Sequence, residues 1–441
     1  MTTCTKGKLL AEGKTKKIWE VPTDESLVVI ENKPDITAFD DPRFTKQFQA
    51  KATYATETTC RVFELLKQAG IPVAYVEQTS PTEFIARKCS MIPLEAVARR
   101  YAVGSYLKRN PNFERPKGET PVRFHKLVTE FFLKTTKGSL YINGDLVVAG
   151  LNPEKGEEDP FIPNPYDTMW DIIHSKKPAW DLTAKLHDGI PAAQILQSKE
   201  VQKIMKDLES YLRDTFLTLE GVWATFGHRL IDLKIEFGAS DGEMLVADVI
   251  DNDSWRLRDH NWKELSKEAF RQGEELSEVE QKYGIVSDLI SKFRIPRQCL
   301  VLWRGSDKDK FPEFSKSVDL RSIDVEEITA SGHKSPNKCL NILENLICRY
   351  PDGGVIVAKV GMSNGLGPMI AARTSWPVIS IPATIDENPN DAWSSLRMPS
   401  EVPTAVICSE GNATSFALRI LAQRNPLLCR QLQKRIEELD E

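Results

Sequence analysis

The segment Leu230-Ile231-Asp232-Leu233-Lys234-Ile235-Glu236-Phe237-Gly238 alternates without a break. Ile231, Leu233, Ile235 and Phe237 fall on one face of an extended chain, Asp232, Lys234 and Glu236 on the other. Ala239-Ser240-Asp241-Gly242 supplies turn residues, and residues 245–250 return as a second strand carrying Asp248. An antiparallel hairpin is expected. With an even-numbered residue opposite Glu236, Asp248 joins Asp232, Lys234 and Glu236 on one face. Two carboxylates in close quarters repel unless a cation lies between them, and Mg²⁺ is the oxygen-seeking candidate. The pattern also describes a solvated polar face with a cross-strand Lys–Glu pair. What favours a site is Asp251-Asn252-Asp253-Ser254-Trp255-Arg256, a denser polar cluster than a plain turn needs.

Upstream, strand-like stretches at 16–21 and 27–31 follow the basic turn Ala11-Glu12-Gly13-Lys14-Thr15-Lys16-Lys17. Such a turn can lie over nucleotide phosphates as the glycine-rich loop of kinases does. Its glycine spacing is not that of a Walker motif, and a solvated basic turn is the alternative. A helix is expected at 51–68, ending at Gly70. The stretch Ile92-Pro93-Leu94-Glu95-Ala96-Val97-Ala98-Arg99-Arg100-Tyr101-Ala102-Val103-Gly104-Ser105 also begins like a helix, with Pro93 in its first turn. Glu95 and Arg99 are then i,i+4 neighbours, and the Gly104-Ser105 amide and hydroxyl can join Arg99 on a phosphate. Residues 135–195 are rich in Pro and Gly and read either as a long functional loop or as an insertion.

The chain has 441 residues, too many for one hydrophobic core, so at least two domains are expected. Residues 1–262 form the first, 263–295 read as a charged helical linker, and 296–441 form the second. With 41% hydrophobic and 27% charged residues the composition is that of a globular protein. A net charge of −5 offers no general attraction to nucleic acid or an anionic membrane. There is no signal-peptide core or membrane-length apolar run. Eight scattered cysteines, with no C-x-x-C, fit reduced thiols in a cytoplasmic protein and not a zinc site.

After Pro296, apolar strands at 299–303, 324–329, 354–360, 377–381 and 404–408 alternate with helix-like stretches, which predicts a doubly wound parallel sheet. Polar loops follow the strands: Gly305-Ser306-Asp307-Lys308-Asp309, Ser331-Gly332-His333-Lys334-Ser335-Pro336, Ser363-Asn364-Gly365-Leu366-Gly367-Pro368 and Ser409-Glu410-Gly411-Asn412. In such sheets they gather at the carboxyl edge, where ligands bind. Pro336 and Pro368 suit first turns of helices, and His333 is a candidate acid/base group, or a structural residue.

IPLEAVARRYAVGS, LIDLKIEFG and LVADVIDNDSWRL, with EGKTKKIWE and GSYLKRNP, resemble SAICAR synthetases over roughly residues 7–262. The resemblance implies a two-lobed ATP-binding fold similar to kinases and ATP-grasp enzymes, of α+β type. It implies ATP- and Mg²⁺-dependent condensation of carboxyaminoimidazole ribonucleotide (CAIR) with L-aspartate to SAICAR. It assigns Glu236 and Asp248 to the metal and Lys14 and Lys16 to ATP. It places Arg99, Ser105 and Arg256 on the ribonucleotide phosphate, with Glu95, Asp253 and Ser254 among the substrate-binding residues. Asp232 and Lys234 belong to the active site.

SGHKSP, VGMSNGLGPMIAARTSWPVIS, DAWSSLRMPS and EGNATSFALRILA resemble AIR carboxylases of the class that uses CO₂ directly, over roughly 297–425. This implies a flavodoxin-like three-layer α/β domain. Its site would contain Ser306, Asp309, Ser331, His333, Lys334, Ser363, Asn364, Gly365 and Gly367. His333 would manage the proton at the imidazole carbon, with no cofactor. Family members carry a small hydroxyl residue at Lys308, Ala at Gly332 and Arg at Met362. The expectation is a bifunctional cytoplasmic enzyme of purine biosynthesis, octameric through its second domain, that acts on small molecules and not on nucleic acid or membranes. The rival readings are an active synthetase whose degenerate second domain only oligomerises it, and an unrelated kinase-like phosphotransferase.

Overall fold

The computed structural model describes residues 5–37, 45–47, 50–314 and 320–439. The chain divides into two compact units, Met1–Phe293 and Arg294–Glu441.

Besides two two-stranded sheets, the first unit holds two large ones. The smaller is antiparallel, in the spatial order Leu9–Glu12, Lys16–Glu20, Leu27–Asn32, Glu83–Arg87, Tyr75–Ser80. Helix Ala50–Gln68 buries Val62, Phe63 and Leu66. Phe63 stacks on Tyr75 at 5.9 Å. The helix stops at a glycine, Gly70, with φ +73°.

The larger sheet has eight strands. At its centre Ser90–Tyr101 lies between Arg123–Leu133 and Arg229–Ser240, hydrogen-bonded along both edges. This overturns the helix expected from Pro93 onward. Leu, Glu, Ala and Arg are good helix formers, but tertiary context overrides propensity. Here two flanking strands satisfy the backbone, and Leu94, Ala96 and Ala98 are fully buried. Helix Val201–Thr225 packs on this pair through a stripe that includes Leu208, Leu212 and Phe216.

Arg229–Ser240 continues into Glu243–Ala247 through a two-residue turn, with Asp241 at φ +52° and Gly242 at φ +78°. Both central residues are left-handed, as a type I′ hairpin turn requires. With two turn residues, even positions face odd ones, so Ala247 and not Asp248 lies opposite Glu236. The condition for Asp248 to share that face, an even-numbered residue opposite Glu236, is therefore not met. The second strand ends at Ala247, and Asp248 leaves the pleat with φ +63°.

Within 135–195, strands Phe161–Ile162, Met169–Ile173 and Lys185–Pro191 extend the large sheet beyond Arg123–Leu133. Within 263–295, helix Leu276–Ile290 is not a free connector. Its Val279 and Tyr283 join a core with Ile36, Ala269 and Phe270 of the same unit.

The second unit carries five parallel strands in the order Asp324–Thr329, Cys299–Arg304, Gly354–Val360, Val378–Pro382, Ala405–Val406. The order reverses between the first two strands and the rest, as in doubly wound flavodoxin-like sheets. Val301, Trp303, Ile356 and Ala358 pack with Leu343 and Leu346 of helix Pro336–Arg349. Leu300, Leu302, Val355 and Val357 pack with Ala413, Ala417 and Leu421 of helix Glu410–Leu421. Both sheet faces are dry, which is why the strands show no apolar/polar alternation.

The seven described cysteines are free; Cys4 lies outside the described residues. Among the described residues no helix is long and apolar enough to cross a membrane.

Candidate active sites

In the first unit the register aligns two charged strand faces. Asp232 lies opposite Arg99 on one side and Arg256 on the other, and Glu236 lies opposite Glu95. Glu95, Val97, Arg99, Asp232 and Lys234 therefore line one cleft, with Ser105, Asp159, Asp253, Ser254, Arg256 and Arg271. On a strand Glu95 and Arg99 stand about 13 Å apart, so the i,i+4 pair expected on a helix does not form.

One end of this cleft is built from guanidiniums around carboxylates. Asp232 accepts from Arg99 at 2.6 Å and from Arg256 at 2.5 Å. Arg99 also donates to Glu130 at 2.6 Å and to the Ser105 hydroxyl at 3.1 Å. Glu130 binds Arg109 as well. Gly104 has φ +60°, and a Cβ there would meet the Arg256 guanidinium at 2.6 Å, so only glycine fits.

The middle row holds Lys234 paired with Glu95. Burial disfavours the charge on Lys234, but Glu95 and Glu236 outweigh it and raise its pKa.

At the other end Lys14, Lys16, Glu236, Asp248, Asp251 and Lys267 line a second hollow, which shares Lys234, Asp253, Ser254 and Arg271 with the first. Although the pleat does not deliver Asp248, its left-handed backbone brings it into the hollow that Glu236 lines. Glu236 pairs with Lys134, and Asp248 with Lys16. Burial pushes the Glu236 carboxyl up, but Lys134 and Lys234 hold it below its ordinary value. Burial pulls Lys16 down to about 8, against Glu236. Asp253 is buried between Lys51 at 3.3 Å and Lys267 at 3.2 Å, and Tyr283 donates to it. Burial alone would raise its pKa; Lys51, Lys267 and Tyr283 hold it far below the carboxylate range. A third, mostly apolar hollow continues from Lys16, Glu236 and Asp248 and is lined by Leu10, Ile18, Val28, Ile30, Ala86 and Met91.

In the second unit the polar loops follow the strand ends. A Cβ on Gly365 would lie 2.4 Å from the His333 ring, so the imidazole rests on the bare backbone of the Ser-Asn-Gly loop. Gly332 is equally confined, 2.7 Å from the Leu366 Cα by the same measure. The Ser331 hydroxyl accepts from the Lys334 amide at 3.3 Å, and that of Ser306 from the Lys308 amide at 3.2 Å. Arg304 donates to the Asp309 carbonyl at 2.8 Å. Asn364, expected to face substrate, is instead an internal brace. Its amide donates to Ser380 and Ser395 at 2.8 and 3.0 Å and accepts from the Gly367 amide at 2.8 Å. Asp391 fixes the start of the loop by accepting from the Met362 amide at 3.0 Å. Pro336 opens its helix as expected.

The family model of SAICAR synthetase matches residues 9–149 and 177–288, and that of AIR carboxylase matches residues 300–441. The chain belongs to the family of fused SAICAR synthetases and AIR carboxylases. The probable multifunctional protein ADE2 of Caenorhabditis elegans is 32% identical over 436 residues, 96% of this chain and 91% of that protein. The bifunctional phosphoribosylaminoimidazole carboxylase/phosphoribosylaminoimidazole succinocarboxamide synthetase of Homo sapiens is 31% identical, covering 98% of this chain and 93% of its own. The phosphoribosylaminoimidazole-succinocarboxamide synthase of Chloroflexus aurantiacus is 32% identical and covers 65% of this chain and 97% of its own. The chain is a ligase and a lyase of purine biosynthesis on one polypeptide.

Several residues of the synthetase cleft carry no signal in the sequence. Asp159, Ser175 and Lys176 come from residues 150–176, between the matched segments of the synthetase model. Arg271 and Lys267 come from the stretch that reads as a linker. Lys134 becomes visible only once the strand it follows, Arg123–Leu133, is placed beside Ser90–Tyr101; the carboxylate facing it, Glu236, was the available clue.

Proposed function

We propose that the three connected hollows of the synthetase unit form one trough for CAIR, aspartate and ATP. What supports this most is the single strand face Asp232–Lys234–Glu236, which spans a guanidinium-lined end and a lysine-lined end. The apolar hollow around Ile18, Ile30 and Met91 suits an adenine ring, with Lys14 and Lys16 against the phosphates. Arg99, Ser105 and Arg256 suit the ribonucleotide phosphate. Lys234 then stands where the CAIR carboxylate meets the γ-phosphate, and steadies the charge that develops there. A carboxylate is a poor electrophile, and phosphorylation makes it an acyl phosphate that the aspartate amine can displace.

Glu236 and Asp248 are oxygen donors on one hollow, a set that suits Mg²⁺. Among the described residues no three His, Cys, Asp or Glu side chains gather tightly enough to hold a metal alone. Two carboxylates plus phosphate oxygens and water is the usual Mg²⁺ arrangement. The ion would neutralise charge on the transferring phosphoryl group.

In the carboxylase unit His333 takes the proton at the imidazole carbon as CO₂ adds, with Ser306, Asp309, Ser331, Lys334 and Ser363 around the ribonucleotide. This step is proposed to need neither ATP nor metal. Exposed Ile347, Trp393, Leu396 and Phe416 support association through this unit, and we propose a cytoplasmic homo-octamer. The test is a two-stage assay of the full chain, with AIR and bicarbonate first, then aspartate and Mg-ATP. SAICAR formation that depends on each addition supports the reading. Synthetase turnover from supplied CAIR, with none from AIR, would overturn the carboxylase half.

A further inference from the structure

The synthetase reading leaves one task unassigned. Free aspartate carries an ammonium at neutral pH, and its nitrogen must shed protons to attack an acyl phosphate. The reaction centre falls in the middle row of the trough. On strand Arg229–Ser240 that row, at Lys234, is about 7 Å from Asp232 at one end and about 7 Å from Glu236 at the other.

Four carboxylates line the ribonucleotide cleft: Glu95, Asp159, Asp232 and Asp253. Glu95 is held by Lys234, Asp232 by Arg99 and Arg256, and Asp253 by Lys51 and Lys267. Asp159 forms no ion pair among the described residues. It accepts from the Thr135 amide at 3.0 Å, and its own amide donates to the Thr135 hydroxyl at 3.3 Å. The next residue, Pro160, accepts from the Leu133 amide at 2.9 Å, so the backbone is fixed to the neighbouring strand on both sides of the carboxyl. Asp159 has φ +49°, a conformation that Asp and Asn tolerate better than other side chains.

We infer that Asp159 is the base that accepts the proton from the aspartate amine as it attacks. The nitrogen lone pair forms the C–N bond to the acyl carbon. The C–O bond to phosphorus's oxygen breaks, and its electron pair leaves with the phosphate. The ammonium gives its first proton to water before attack; the second, lost as the C–N bond forms, passes to the Asp159 carboxylate and then to water. This role rests on the acyl-phosphate route proposed above.

The charged groups facing Asp159 are Glu95 from one strand, Lys234 from the next, and Glu158 beside it. Burial and Glu95 push its pKa up to about 6, while the Thr135 amide and Lys234 pull it back. A base of this strength is ionised at neutral pH and is still able to hold a proton.

The test is Asp159→Asn. The amide oxygen can keep the Thr135 bond, and asparagine tolerates the left-handed backbone. Turnover with CAIR, Mg-ATP and aspartate is expected to fall on the order of 10²- to 10⁴-fold. Hydroxylamine, a nucleophile already neutral at pH 7, should still trap the acyl phosphate as a hydroxamate at a rate within a few-fold of wild type. In wild type, kcat/KM for aspartate should decline below about pH 6, and the variant should lose that limb. Parallel loss of hydroxamate and SAICAR formation, or loss of neither, would overturn the assignment. Wild-type enzyme that makes SAICAR but no hydroxamate would refute the acyl-phosphate route. Asp159 would then stand or fall on whether the variant removes the acid limb.

Discussion

Gly104→Ala places a methyl group where the structure has room for none. The backbone there sits at φ +60°, ψ −131°. An alanine in this region costs about 1–3 kcal/mol. Its Cβ would also stand 2.6 Å from Arg256 Nη2 and 3.0 Å from Cζ. The guanidinium must move, although Asp232 holds it at 2.5 Å and Glu268 at 3.5 Å. On the proposed placement, a charge-assisted hydrogen bond from that guanidinium to the ribonucleotide phosphate would contribute about 1.5–3 kcal/mol. Losing one raises the KM for CAIR roughly 10- to 150-fold, at about 1.4 kcal/mol per tenfold. The assay is ADP release at saturating ATP and aspartate with CAIR varied, alongside thermal unfolding of the full chain. KM for ATP should stay within about twofold, because neither Gly104 nor Arg256 lines the lysine-lined hollow, and AIR carboxylation should be untouched. A destabilised variant with an unchanged KM for CAIR would refute the placement of Arg256 on the phosphate.

Glu236→Gln should lower synthetase turnover by on the order of 10²-fold or more, since a metal clamp supplies several kcal/mol, while AIR carboxylation persists. His333→Asn should do the reverse, and separate assays of the two steps check both. Asp253 is ionised in the folded protein well below the ordinary carboxylate range, so its stabilising contribution is present above about pH 4, is lost as pH falls further, and is absent from Asp253→Asn. Acid unfolding curves of the two proteins should therefore converge at low pH. Asp391→Ala strips acceptors from the Met362 amide, the Thr384 hydroxyl and the Asn388 amide. It should destabilise the carboxylase unit by roughly 3 kcal/mol, seen in denaturant unfolding, and raise the KM for AIR.

What the sequence revealed follows from how local each feature is. The period-two alternation of 230–238 and the apolar runs at 354–360 and 377–381 declare themselves, because one strand carries the whole pattern. Ser90–Tyr101 does not. Its helix-favouring residues become a strand because two remote partners claim its backbone, and no window of 14 residues contains them. The same limit hid Lys134 and Asp159. Their significance lies in what faces them across the large sheet, and Asp159 sits in a stretch without periodicity. The linker reading failed for a related reason, since Val279 and Tyr283 look like an ordinary amphipathic stripe until Ile36 and Phe270 are seen beneath them. In the carboxylase unit, loop composition marked the carboxyl edge of the sheet but could not distinguish Asn364, turned inward, from the residues around it.

The Asp-Gly hairpin carries a lesson for mutagenesis. Since its length forbids the two proposed metal carboxylates from facing each other through the pleat, Asp248 would contribute twice to such a site, once as an oxygen donor and once as a backbone kink. Alanine at 248 would confound those contributions by straightening the chain and deleting the donor together. Asparagine, at ease in the left-handed turn, alters charge alone and is the informative replacement.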